Sequence, residues 1–236
     1  MLLIDGKLAT VTIPEAVMTT ELAARLRDVA EQLMYETSVY VVLVQTTPPH
    51  FLHELVESDV TGHYSVANQV TMMLSAWSRI PQPIIAVIRG RCANVGLSFA
   101  SLADFRFGTE ETVFAHETMP LGGLSRRFSQ LVGKGPAMHV LLGGHVMNAD
   151  EAAMRGFLHV QSDAVTTANE LAQRLCKQSP VAMNYTKESM LRGSDLTFQQ
   201  ALLQELDLYM LVQTSGDRLE GVAAYLQKRT PQFTGE

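Results

Sequence analysis

His116, Glu117 and Thr118 set a side chain that titrates near neutrality beside a carboxylate and a hydroxyl, a group of types able to move a proton. His116 is the candidate to protonate an enolate carbon, and Glu117 is the second candidate catalytic group. Neighbours on a strand point to opposite faces, so at most one of the two meets a pocket. Ser98 is a third candidate, able to hydrogen-bond a substrate oxygen, although a serine inside a helix also bonds back to a preceding carbonyl. His53 and Glu54 fit the mouth of a pocket or a solvated loop. Arg126-Arg127 fits either a phosphate contact or a solvated pair. His139, His145 and His159 have no partners at ligand spacing, and the two cysteines, Cys92 and Cys176, lie far apart. Neither a metal centre nor a disulfide framework is expected.

The elements that would position these residues follow from periodicity. Residues 2–13 alternate around Asp5-Gly6-Lys7, as a hairpin at a sheet edge does. Leu22, Leu26, Val29, Ala30 and Leu33 recur at helical spacing, with Thr19 or Thr20 available as N-cap ahead of Glu21. The runs 39–44 and 84–88 are short, β-branched and apolar throughout, which predicts parallel strands buried on both faces. A helix over 66–78 lies between them, and Gly90 marks a turn before a helix over 95–103. Residues 105–107 and 112–114 read as further strands. Alternation of strand and helix implies an α/β fold with a parallel sheet. From 129 onward the pattern is helical, over 136–142, 149–155, 166–178, 180–191, 198–213 and 217–228. The expected division is an α/β core at 1–195 and a helical C-terminal module at 196–236.

Composition narrows the class. The 236 residues are 47% hydrophobic and 18% charged, below the ~25% charge usual for globular chains, so a well-buried or oligomeric protein is expected. A net charge of -6 has the wrong sign for a surface dominated by phosphate contacts, so nucleic acid is not an expected partner. The start, with Asp5 inside an alternating pattern, does not read as a signal peptide. No run reaches the ~20 apolar residues of a membrane span, so a cytoplasmic protein is expected.

Three stretches together resemble the enoyl-CoA hydratase/isomerase superfamily, the crotonase fold. The tail, running from Ser215-Gly216-Asp217-Arg218-Leu219-Glu220-Gly221 to Lys228-Arg229-Thr230-Pro231-Gln232-Phe233, is similar to the family's S-x-D-x-x-E-G…K-R-x-P-x-F ending. The segment 81–114 is similar to its strand, Gly-rich turn and helix, and 132–160 to its thioester helix and A-x-E-A-x-x-x-G-L motif. Lys187 sits where the family often has a lysine. The resemblance implies a crotonase-like spiral of ββα repeats with parallel sheets, and assembly as a homotrimer or a dimer of trimers.

It also implies chemistry. In the family two backbone N–H groups polarise a thioester carbonyl so that an enolate can form. Carried over residue by residue, one donor falls on Val95, flanked by Asn94 and Gly96, and the other on Leu55, in Phe51-Leu52-His53-Glu54-Leu55-Val56-Glu57. The hydratases' two glutamates fall on Ser98 and Thr118, so their usual acid/base pair is missing. His53, Gly96 and Thr118 become candidate substrate-binding residues. The N-terminal segment that grips the adenosine of coenzyme A lacks its arginine and its Asn-Ala pair at 12–18. The implied substrate is an acyl thioester, carried by coenzyme A or by the phosphopantetheine of an acyl carrier protein, with no separate cofactor. Hydration, dehydration, isomerisation and decarboxylation stay open, in fatty-acid or polyketide metabolism, with decarboxylation favoured because it needs only an oxyanion hole and a proton source. The alternative is a non-catalytic crotonase-fold subunit that supports a partner enzyme.

Overall fold

The computed structural model describes residues 1–55 and 60–236, with side chains and burial described outside 54–64. It opens on a hairpin, β1 (Leu2–Asp5) and β2 (Leu8–Ile13), then β3 (Val17–Met18), α1 (Thr20–Tyr35), β4 (Val41–Thr46), β5 (Glu54–Leu55) and α2 (Val60–Trp77). Next come β6 (Ile84–Ile88), β7 (Arg91–Ala93), α3 (Val95–Ala100), β8 (Phe105–Gly108) and β9 (Val113–Ala115). The chain continues through α4 (Leu124–Val132), α5 (Lys134–Leu141), β10 (Met147–Asn148), α6 (Ala149–Met154) and β11 (His159–Val160). It finishes in α7 (Ala164–Leu175), α8 (Pro180–Gly193), α9 (Phe198–Gln213) and α10 (Gly216–Gln227).

A six-stranded sheet in the order β1-β2-β4-β6-β8-β11 is parallel except for the β1–β2 hairpin at its edge. Its apolar runs are explained by burial on both faces. Val11, Val42, Val44, Ile84, Ala86 and Ile88 pack in the larger core with α1, α2 and α3, while Val41, Leu43, Ile85 and Val87 alternate with them into a second core under α7. A smaller sheet, β10-β9-β7, and the pair β3-β5 lie off the main sheet. Successive ββα units thus deliver a strand of the large sheet and then a short strand, β3 and β5 to the separate pair and β7 and β9 to the smaller sheet, as the spiral expected from the sequence requires. The helix expected over 95–103 stops at Ala100, and the helical region expected from 129 begins at Leu124, which puts Arg126 and Arg127 on α4.

The tail motif is a clasp. Asp217, 2% exposed, accepts the N–H groups of Thr234 and Gly235 at 2.9 and 3.1 Å and the Ser179 hydroxyl at 2.6 Å. Glu220 takes both ends of the Arg229 guanidinium at 2.6 and 2.7 Å and the Gln232 N–H at 2.6 Å. That guanidinium, with Gln232 assisting, holds the Glu220 carboxyl down at about 2. Lys7 and Tyr40 both donate to the Phe233 carbonyl at 3.0 Å, so the tail is fastened to the N-terminal hairpin and the start of β4. The carboxylates of the motif thus close the fold by gathering N–H groups and a guanidinium of the chain's last residues. By contrast α9 and α10 leave Phe198, Leu203, Tyr225 and Leu226 largely exposed. Among the described residues no helix is long and apolar enough to cross a membrane.

Candidate active site

The turn from β7 into α3 packs against the loop at Phe51, Leu52 and His53. Phe51 bridges to Cys92, and its N–H donates to the Arg91 carbonyl at 2.9 Å. The Gly96 N–H donates to the Leu52 carbonyl at 3.1 Å. A Cβ on Gly96 would sit 2.2 Å from the Phe51 oxygen and 2.8 Å from the Leu52 oxygen, so this close approach of backbone to backbone requires glycine. Val95, 2% exposed, opens the helix with an N–H that makes no hydrogen bond to a described residue. The first N–H groups of a helix have no acceptor within it, and one this deeply buried is available to a substrate oxygen. Leu55 lies on β5, paired in parallel with Met18 of β3. The side chains of Glu54 and Leu55, and Val56 and Glu57 altogether, lie outside the described residues. His53 is half-buried, its ring edge-on to His50 at 4.9 Å.

Asn94 joins the surrounding segments. Its Nδ2 donates to the His53 carbonyl at 3.4 Å, and its Oδ1 accepts the Glu117 N–H at 2.9 Å and lies 3.5 Å from the Thr118 hydroxyl. Sequence reasoning named Asn94 only as a neighbour of Val95. Its Gly-rich setting offered no signal, because these bonds cross gaps of more than 20 residues.

The residues just past β9 divide at the strand's end and not by alternation, since 114–116 are buried and 117–119 exposed. His116 is 5% exposed, and among the described residues neither ring nitrogen makes a well-formed hydrogen bond, although the Thr118 backbone interacts with the ring. Burial pulls its pKa below the ordinary 6.5, against the opposing influence of the Thr118 backbone and the Glu117 charge. The imidazole is therefore neutral at pH 7. Glu117 faces outward and pairs with Arg91. Thr118 is exposed. Ser98 is 3% exposed and its hydroxyl lies within bonding distance of two backbone carbonyls, Asn94 at 3.3 Å and Leu121 at 3.2 Å. Of the sequence candidates, then, Val95, Gly96, Ser98, His53 and Thr118 are linked through Asn94, and His116 lies buried next to them in the chain. Glu117 meets the same group only through its backbone.

Lys187 has a structural job. Its ammonium is 2.8 Å from both Asp104 Oδ2 and the Gln82 carbonyl, fastening α8 to the loops that enter β6 and β8. Burial lowers its pKa, with Asp104 opposing. Asp104 also accepts the Ile84 N–H at 2.7 Å. Lys187→Met is expected to lower stability by about 2 kcal/mol, less than the ~3–5 of a fully buried pair broken on one side, because Asp104 is partly solvated and keeps Ile84. Urea unfolding checks this, and an unchanged midpoint would refute it. Arg106, whose guanidinium is lowered to about 10 chiefly by burial, donates to the carbonyls of Ala103 and Phe157 and closes the end of α3. Arg126 pairs with Asp195 and Arg127 is half-buried. Among the described residues no group of His, Cys, Asp and Glu could hold a metal ion.

A family model described as enoyl-CoA hydratase/isomerase matches residues 12–236. The chain belongs to the enoyl-CoA hydratase/isomerase family. Among its relatives in this family, 2,3-dehydroadipyl-CoA hydratase of Escherichia coli K12 is 29% identical over 236 residues, covering 92% of this chain and 90% of that enzyme. Probable enoyl-CoA hydratase 2 of Arabidopsis thaliana, a mitochondrial protein, is 28% identical over 91% of this chain and 76% of its own length. The crystal structure of an enoyl-CoA hydratase from Bacillus anthracis superposes with a TM-score of 0.93 at 21% identity, over 100% of this chain and 99% of that one. That likeness speaks for the crotonase fold alone.

Proposed function

We propose that this family member is an enzyme that forms an enolate from an acyl thioester, with Val95 N–H and Leu55 N–H as the oxyanion donors and His116 as the proton-transfer group. The observation that carries the reading is the buried imidazole of His116, beside a turn whose buried Val95 N–H has no acceptor among the described residues. Donors held in a dry site cost no reorganisation as charge develops on the carbonyl oxygen. Coenzyme A is the thioester carrier in the names of the relatives, and we take it as the carrier here, with a carrier-protein phosphopantetheine as the rival.

Hydration by a pair of carboxylates is disfavoured, because positions 98 and 118 hold a serine and a threonine. One neutral imidazole suffices for isomerisation, taking a proton from one carbon and returning it to another, whereas protonation after decarboxylation would draw on the imidazolium formed when the ring takes up a proton from solvent. His53, Gly96 and Thr118 would border the acyl group, while Glu117 and Ser98 hold the surrounding backbone. The exposed apolar faces of α9 and α10 support a C-terminal module at 196–236 that assembles the chain as a homotrimer or a dimer of trimers.

A second reading is an auxiliary subunit without turnover. It is favoured by the hydroxyl of Ser98, which lies against backbone carbonyls and not toward a substrate. The test is native mass spectrometry with a panel of acyl thioesters on coenzyme A and on phosphopantetheinylated carrier protein, in deuterated buffer. Deuterium uptake at carbon or loss of carbon dioxide from one member supports an enzyme. Loss of water would overturn the preference for isomerisation and decarboxylation. Binding with no change of mass in any member favours the auxiliary subunit.

A further inference from the structure

Asn94 has a backbone conformation that its side chain makes costly, φ 53° and ψ -113°. This lies outside the small left-handed pocket that asparagine tolerates and in a region where glycine is usual. Such strain persists only where the surroundings over-determine it.

The hydrogen bonds explain what the strain accomplishes. β7 and β9 pair in parallel through Ala93 and Ala115, and the Asn94 N–H donates to the Ala115 carbonyl at 3.3 Å. One step further in a parallel ladder, the Asn94 carbonyl would accept the Glu117 N–H, with His116 as the residue opposite Asn94. That carbonyl has turned away to accept the Ser98 N–H at 3.1 Å, as α3 requires. The side-chain Oδ1 takes its place and accepts the Glu117 N–H at 2.9 Å. Asn94 thus holds the chain on both sides of His116, at the Ala115 oxygen and the Glu117 nitrogen. Its Nδ2 meanwhile holds the His53 carbonyl, two residues before Leu55. The amide orientation is fixed by chemistry, since a backbone N–H lies on one side and a carbonyl on the other.

We propose that Asn94 is the positioning residue of this site. Its side-chain amide replaces a main-chain carbonyl, so that one residue starts the donor helix at Val95, aims His116 and ties down the 51–55 loop. This rests on the proposed roles of Val95, Leu55 and His116, and the test separates the two.

Asn94→Gly relieves the strained φ while deleting the clamp, and Asn94→Asp keeps an acceptor for Glu117 but loses the donor to His53. With the thioester that the wild type turns over, Asn94→Gly is expected to lower kcat by about 10- to 100-fold with KM within about threefold, the mark of lost geometry and not lost binding. Hydrogen exchange at the Glu117 amide should rise in Asn94→Gly and stay near wild type in Asn94→Asp, while both variants loosen residues 51–55. Thermal unfolding should be little changed in Asn94→Gly, because relief of strain offsets the lost bonds. Unchanged Glu117 exchange in Asn94→Gly would overturn the clamp whether or not any thioester reacts. Raised exchange with wild-type kcat would overturn its role in positioning. Should the wild type turn over no thioester, the proposed function fails, and the Glu117 amide still decides whether Asn94 extends the ladder.

Discussion

Alanine at Gly96 is expected to cost about 3 kcal/mol or more and to lower the melting temperature by roughly 6–12 °C in a chain of this size. The added methyl would lie 2.2 Å from the Phe51 carbonyl oxygen and 2.8 Å from that of Leu52, and neither is the yielding end of a side chain. Phe51 is fully buried, bonded to Arg91 and bridged to Cys92, so the loop has nowhere to retreat. Relief requires α3 and the loop to part, which breaks the Gly96 to Leu52 hydrogen bond and separates the Val95 donor from residues 53–55. Turnover of any accepted thioester should fall with stability. Differential scanning calorimetry of Gly96→Ala beside Gly135→Ala, where an added methyl meets open space, is the direct check. Equal melting temperatures for the two variants would show that the loop can give way.

The larger architecture was legible because its signals are long. The apolar runs around 39–44 and 84–88 resolve into β4 and β6, buried on both faces. The helix over 198–213 is bounded as its pattern predicts, with Thr197 and Gln200 forming a capping box at its start. The short strands β3, β5, β10 and β11 were not legible, since two residues have no periodicity and their pairing is set by partners far along the chain. β7 falls where only a turn at Gly90 was read, and its three residues complete the smaller sheet.

The site was legible in part, for the same physical reason. Only one of His116 and Glu117 is buried, as expected, but because the chain leaves the strand after Ala115 and 117–119 are all exposed, not because of a period of two, whereas the contacts of Ser98 with carbonyls follow from a hydroxyl in a helix. The latter is a local property of a residue type in an element. The tail was recognisable as a pattern, yet the reason for its residues, a carboxylate at 217 that gathers the N–H groups of 234 and 235, is tertiary. Asn94 lies at the far end of this scale. Its part depends on a positive φ, a carbonyl diverted into α3, and partners at 53 and 117, none of which a side-chain type announces.

His116→Leu is expected to separate activity from stability. A buried imidazole whose nitrogens make no well-formed hydrogen bond among the described residues holds polar atoms away from water with little return, and an apolar side chain of similar size removes that cost. The variant should unfold at or above the wild-type midpoint at pH 7. Its turnover should fall by about 100-fold or more, the lower range of what a positioned acid or base contributes. Acidity supplies a second readout. Because the folded pKa lies below 6.5, the unfolded chain takes up this proton first as pH falls, so the wild type loses stability from about 6.5 downward until the folded imidazole also protonates. The leucine variant lacks this component, and its margin over the wild type should widen between pH 7 and pH 5. The rate should report the same group, since a neutral imidazole acting as base loses kcat/KM as pH falls through its folded pKa, and that limb should vanish in His116→Leu. Wild-type turnover in the variant would exclude His116 from the chemistry, and a margin that stays flat with pH would show that the imidazole titrates alike folded and unfolded.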